Sequence, residues 1–275
     1  MEIQFYCPHW GSEDLLFDHF IKKVTNAGYL GVEMSLPMET DKKTRILGMI
    51  REAGLNLIAQ HWETVERDFV VHKNNYERRL RNLCEAGPVF VNAQTGKDYF
   101  SFEQNEELID SAREISQEYG IRILHETHRG KFSFAAHVTR KYLERIPDLR
   151  LTLDISHWFN VAESTLEDQE ESVRLAVERS DHIHSRIGFN EGPQVNDPAA
   201  PEWKDFLDLH LKWWDAVIKN HADSGNNNIT ITTEFGPTPY MPTMPFSRQP
   251  LADQWQVNLF MKNLLEKRYA FKDIH

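Results

Sequence analysis

Cysteine is scarce in this chain, with only two thiols, Cys7 and Cys84, in 275 residues. Two cysteines cannot build a disulfide framework or a thiolate zinc site, and reduced thiols in a reducing compartment are the simplest account. Long apolar runs are missing too. No stretch approaches the roughly 20 apolar residues that a membrane-spanning helix needs, and the mean hydropathy is -0.56. The opening MEIQFYCPHW has an acid at position 2 and no basic region leading into an apolar core, so no secretory signal is expected and the expected location is cytoplasmic. Basic residues are in deficit: 31 Lys and Arg against 42 Asp and Glu give a formal charge of -11. That balance repels polyphosphate and anionic lipid, so neither nucleic acid nor a membrane is an expected partner. No glycine-rich phosphate loop follows the first β-like run, which argues against a dinucleotide-binding open sheet.

The chain does have a regular alternation of short β-like runs with amphipathic helical stretches. The runs cover 3–7, 29–36, 55–62, 89–94, 121–126, 151–156, 182–187 and 229–235. Between them, Leu15, Leu16, Phe20 and Val24 share one helical stripe, as do Leu108, Ala112, Ile115 and Tyr119, and Leu207, Leu211, Trp214 and Ile218. Gly28, Gly54, Gly87 and Gly120 each stand just before a run, where a helix would end in a left-handed residue, and Pro147 stops the fifth helix. Strands joined through helices must pair in parallel by right-handed crossovers. Eight such units, in a length close to the roughly 250 residues typical of the fold, predict an α/β, (β/α)8 barrel forming a single domain over 1–275. The proline-rich segments 188–201 and 236–250 follow the seventh and eighth runs, on the face where such barrels build their sites.

Ionisable residues gather at the ends of four successive runs: Glu126, Asp154, His184 and Glu234. Side chains alternate along a strand, so Glu234 shares its face with Thr232 and Thr230, Asp154 with Thr152, His184 with His182 and Arg186, and Glu126 with Leu124. Three carboxylates facing one interior repel each other and pay about several kcal/mol each in lost hydration unless a cation offsets them. The expected cofactor is one divalent metal ion on Glu126, Asp154, His184 and Glu234. Three oxygen donors and one nitrogen favour Mn2+, Mg2+ or Co2+, with Zn2+ also compatible.

In order and spacing these residues resemble the xylose-isomerase-like barrels, specifically their sugar isomerase/epimerase group, whose superfamily also includes apurinic-site endonucleases. The marks are the Glu ending the fifth strand, Asp154 and His157 in Asp-x-x-His, His184 after Ile183, and Glu234 on the eighth strand. The resemblance implies that Glu126 and Glu234 also move protons and that His157 touches substrate or supports the site. A metal holding a carbonyl and its neighbouring hydroxyl acidifies the adjacent C–H, and a carboxylate can then remove that proton to give an enediolate. One carboxylate on each face gives epimerisation; one spanning adjacent carbons gives aldose–ketose isomerisation. The expected partner is a small sugar or sugar derivative. Phe132 and Asn190 stand where the epimerases place a Glu and an Arg against the sugar, which sets this chain apart from a plain ketose 3-epimerase.

Further substrate contacts are expected from Arg186, His128, Arg129 and His61, and from Trp10 and Trp158 among the aromatics that crowd the strand ends with Tyr6, Trp62 and Phe159. Glu33 joins His61 as expected pocket wall, and His182 lies one layer deeper than His184. Trp203, Trp213 and Trp214 suit packing or contacts in a homo-oligomer. The rival readings are a dehydratase of the same superfamily, a non-catalytic carbohydrate sensor, and a nuclease. The nuclease is disfavoured because Asn92, Gln94 and Ala199 stand where extra histidines would be needed.

Overall fold

A computed structural model describes residues 1–270, so the end of the 1–275 span lies outside the described residues. Each β-like run overlaps one strand: β1 (Glu2–Pro8), β2 (Gly31–Met34), β3 (Asn56–His61), β4 (Val91–Ala93), β5 (Ile123–Glu126), β6 (Leu151–Leu153), β7 (Ser180–His184) and β8 (Asn228–Thr232). Every strand pairs in parallel with its sequence neighbours, and β1 closes on β8 from Glu2↔Asn228 to Tyr6↔Thr232, which completes the barrel. The helices are α1 (Phe17–Asn26), α2 (Thr40–Glu52), α3 (Phe69–Cys84), α4 (Phe102–Tyr119), α5 (Ala136–Arg145), α6 (Ser156–Ala162), α7 (Glu170–Glu178), α8 (Lys204–Asp223) and α9 (Gln254–Ala270). Among the described residues no helix is long and apolar enough to cross a membrane.

Glycine ends several crossovers. Gly28, Gly54, Gly87 and Gly120 take φ of +70°, +68°, +64° and +65°, a left-handed conformation that only glycine adopts without steric cost, and each turns its helix into the next strand. The stripes of α4 and α8 bury except for the half-buried Tyr119 and Leu207, and Trp214 is wholly inside, a packing residue rather than a subunit contact. The first stripe begins late. Leu15 and Leu16 precede α1 and are exposed, and Phe20, Ile21 and Val24 carry the buried face.

Most of the apolar core lies between sheet and helices. A small separate cluster of Tyr6, Ile58, Phe90 and Leu124 fills the barrel interior. His182 packs on Phe90 at 5.2 Å, and with it the interior turns polar. The side chains stacked above it toward the strand C-termini form the candidate site.

Candidate metal centre

Glu126 is the last residue of β5 and His184 the last of β7, while Asp154 and Glu234 lie just past β6 and β8. Each is buried, none more than 4% exposed. Ligand atoms of all four lie within 4.8 Å of one another. His184 Nδ1 sits 2.7 Å from Glu234 Oε2 and 3.8 Å from Glu126 Oε1. Despite that proximity Nδ1 is buried with no hydrogen-bond partner, because the contact is not aligned for one. The contact is an ion pair when His184 is protonated, and with Nδ1 deprotonated the two atoms can share a cation between them. A divalent cation fits that place and that donor set.

Neighbouring amides and hydroxyls set the carboxylates. Asn92 Nδ2 donates to Glu126 Oε2 at 3.1 Å, Gln94 Nε2 reaches the same carboxylate at 3.3 and 3.4 Å, and Gln60 Nε2 donates to Glu234 Oε1 at 2.9 Å. Asp154 Oδ1 accepts from Ser156 N at 3.1 Å and from its hydroxyl at 2.5 Å, while Oδ2 accepts from Arg186 Nη2. The Thr127 hydroxyl and the Asp154 backbone, 2.8 and 2.9 Å apart, clamp the turn after β6.

The acids are under strain from one another. Burial pushes Glu126 up to about 8 against the pull of His184, and Glu234, Asp154 and Glu33 add to the rise. Burial raises Asp154 as well, in spite of Arg186. His184 would be lowered by burial, but Glu234, Glu33 and Glu126 hold it well above the ordinary histidine value. Burial would likewise raise Glu234, yet His184 and Arg186 bring it down. A proton on His184 thus supplies part of the positive charge that a cation would bring.

Above the acids opens a cavity of about 430 Å³, walled by Trp10, Trp62 and Tyr240 and floored by Gln60, Gln94, Glu126 and Glu234. That volume suits a small molecule. Arg186 spans the floor with its guanidinium 5.9 Å from the Trp10 ring and 4.9 Å from the Tyr240 ring. Trp10 reaches its place only because residue 236 is glycine, since a Cβ there would stand 2.1 Å from the indole.

Of the expected substrate contacts, Trp10, His128 and Arg186 line this cavity. Arg129 does not; it bonds Asn160 Oδ1 and lies over the Tyr240 ring at 5.0 Å. His157 is fully buried behind Arg186, with Nε2 2.7 Å from Nη2 and its ring 3.9 Å from that of His128, which makes it support rather than wall. His61 is a correction. Alternation turns Gln60 inward and His61 outward, where its Nε2 meets Thr64 Oγ1 at 2.6 Å and its ring packs on Tyr76 of α3. Trp158 is another. One residue past His157 on α6 it rotates about 100° away, and its indole N–H donates to Ser133 O inside the core. Tyr6 and Phe159 are also core. Gln60 and Tyr240 went unforeseen. Gln60 could have been found from its parity with Ile58, but Tyr240 lies in a loop with no periodic signal.

No protein-family model matches the sequence, and no curated protein matches it either. Among solved structures, the chain is similar to 3-keto-D-glucoside 4-epimerase from E. coli, at 15% identity and a TM-score of 0.61 over 97% of this chain and 100% of that one. The probable 3-DHS dehydratase of Bacillus anthracis is similar at 16% identity and TM-score 0.58, over 96% and 99% of the two chains. A xylose isomerase domain protein from Planctomyces limnophilus is similar at 11% identity and TM-score 0.59, over 98% and 95%. At such identities the likeness shows the fold alone, and that fold is the closed (β/α)8 barrel described above.

Proposed function

We propose that the protein is a divalent-metal-dependent isomerase or epimerase of a sugar or sugar derivative, working by proton transfer at a carbon next to a carbonyl. One observation carries the reading: Glu126, Asp154, His184 and Glu234 converge on a common point toward which the unbonded His184 Nδ1 faces. A divalent cation held there would polarise a carbonyl and favour enediolate formation, with Mn2+, Mg2+ or Co2+ suited to the oxygen-rich set.

Glu126 and Glu234 both face His184 Nδ1, at 3.8 and 2.7 Å, each with amide donors fixing its plane. Fixed in this way, they can exchange a proton with substrate without first reorganising. One takes the proton and the other returns it if the centre is inverted; a single carboxylate suffices if the proton moves to the next carbon. The rings of Trp10, Trp62 and Tyr240 offer apolar faces to a sugar and keep water from the reacting carbon. The single domain and the cytoplasmic location foreseen from the sequence are part of this proposal.

The test is exchange of substrate C–H hydrogens with deuterated solvent across a sugar panel, with Mn2+ present. Exchange in at least one sugar is expected, and Glu234→Gln should slow it roughly a hundred- to ten-thousand-fold with the fold intact. No exchange anywhere in the panel, with metal bound, would leave a carbohydrate-binding protein; an enone product would mark a dehydratase.

A further inference from the structure

We infer that Glu33 is a positioning residue that keeps a ring proton of His184 on Nε2, so that Nδ1 is the nitrogen that gives up its proton when a cation binds. The inference rests on the metal-centre reading and extends it to a residue one layer below the ligands.

Glu33 is on β2, 1% exposed, and its carboxylate ends beneath the His184 ring. Oε1 lies 2.9 Å from Asn92 Nδ2 and 3.0 Å from His184 Nε2. Oε2 lies 2.5 Å from Thr232 Oγ1 and 3.2 Å from His182 Nε2. A carboxylate has about four acceptor sites and nothing to donate, and here donors from β4, β7 and β8 fill them. The proton facing Glu33 must therefore belong to His184.

The neighbouring groups agree with that assignment. Asn92 Nδ2 is also 3.3 Å from His184 Nε2, but its two hydrogens are directed at Glu33 Oε1 and Glu126 Oε2, 2.9 and 3.1 Å away. No donor is left for a bare Nε2. His182 Nε2 also faces Glu33, while its Nδ1 lies 3.0 Å from the Thr230 carbonyl and 2.7 Å from the Thr230 hydroxyl. With Nε2–H committed below, the nitrogen free to meet a cation is Nδ1, on the side of Glu126 and Glu234. A carboxylate behind a ligating imidazole fixes its tautomer and ring plane and strengthens it as a donor.

The experiment compares Mn2+ dissociation constants of the wild type and Glu33→Gln, and reads the ring nitrogens of His184 in the Mg2+-saturated protein by 15N NMR, with assignment from His184→Gln. Glu33→Gln places an amide among donors, and Mn2+ binding should weaken about 10- to 100-fold. In the wild type the ring proton should be found on Nε2 alone. A Glu33→Gln constant equal to wild type, or a wild-type proton on Nδ1, overturns the inference, and the second readout stands even if the variant does not fold. A purely structural Glu33 would lower the melting temperature and leave the Mn2+ constant of the folded fraction unchanged, which also overturns it. Failure of the wild type to bind any divalent cation would sink the metal-centre reading and this inference together, whereas intact binding with an unchanged variant sinks this inference alone.

Discussion

The two ends of the barrel treat buried acids in opposite ways. At the N-terminal end, Asp181 near the start of β7 meets Arg150 through bonds of 2.5 and 3.1 Å, with Arg122 at 3.4 Å and His221 at 3.3 Å. Burial alone would raise its carboxyl, yet His221, Arg150 and Arg122 hold it well below the usual carboxylate range. At the C-terminal end, Glu33, Glu126, Asp154 and Glu234 outnumber Arg186 and His184, the positive groups they contact, and Glu126 is driven up instead of down. One end has its charges matched by the chain itself; the other leaves a deficit of positive charge. Unmatched charge of this kind at the C-terminal rim is what the proposed cation site requires, and it is conceded at some cost in stability.

The contrast can be broken most forcefully by removing metal. Chelation of a metal-replete sample should abolish turnover, and adding Mn2+ back at 100 times its dissociation constant should restore it while stabilising the fold by about 2.7 kcal/mol. A melting temperature unmoved by any divalent cation would contradict this. Next in size is the floor: Asp181→Asn strips a partner from two arginines and should cost about 2 kcal/mol in denaturant unfolding, without touching turnover of the surviving fold. A smaller effect separates the ends by pH. Asp181, depressed on folding, contributes stability that is complete above its unfolded value and is lost as pH falls. Glu126, raised from 4.5 to about 8, and His184, also raised, act in the other sense: the metal-free fold holds extra protons and loses stability as pH climbs toward 8. Thermal melts across pH should show that decline without metal and a flatter profile with it.

Much of this was legible because strands and helices repeat with fixed periods. The eight runs, the capping glycines and the carboxylates at successive strand ends are local features, and a parity count sufficed to aim Glu126, Asp154, His184 and Glu234 inward. Legibility failed where chemical suggestiveness was followed instead of the phase of the run. On β3 the expectation took His61 as the inward residue, but the histidine faces α3 and its neighbour Gln60 turns to the cavity. It failed again at Trp158, which lies beyond the end of β6 on the first turn of a helix, where strand parity no longer applies.

The amino-acid order alone determined that a closed parallel barrel forms and that its acids crowd one rim, because periodicity and strand-end placement are properties of the local chain. Only the three-dimensional arrangement decided that Arg186 lies across Asp154, that Gln60 and Asn92 orient the carboxylates, and that Glu33 sits under His184. Those contacts join residues 32 to 174 positions apart. They exist because closing the barrel brings side chains of different strands to a common axis, and no local pattern encodes which atoms then meet.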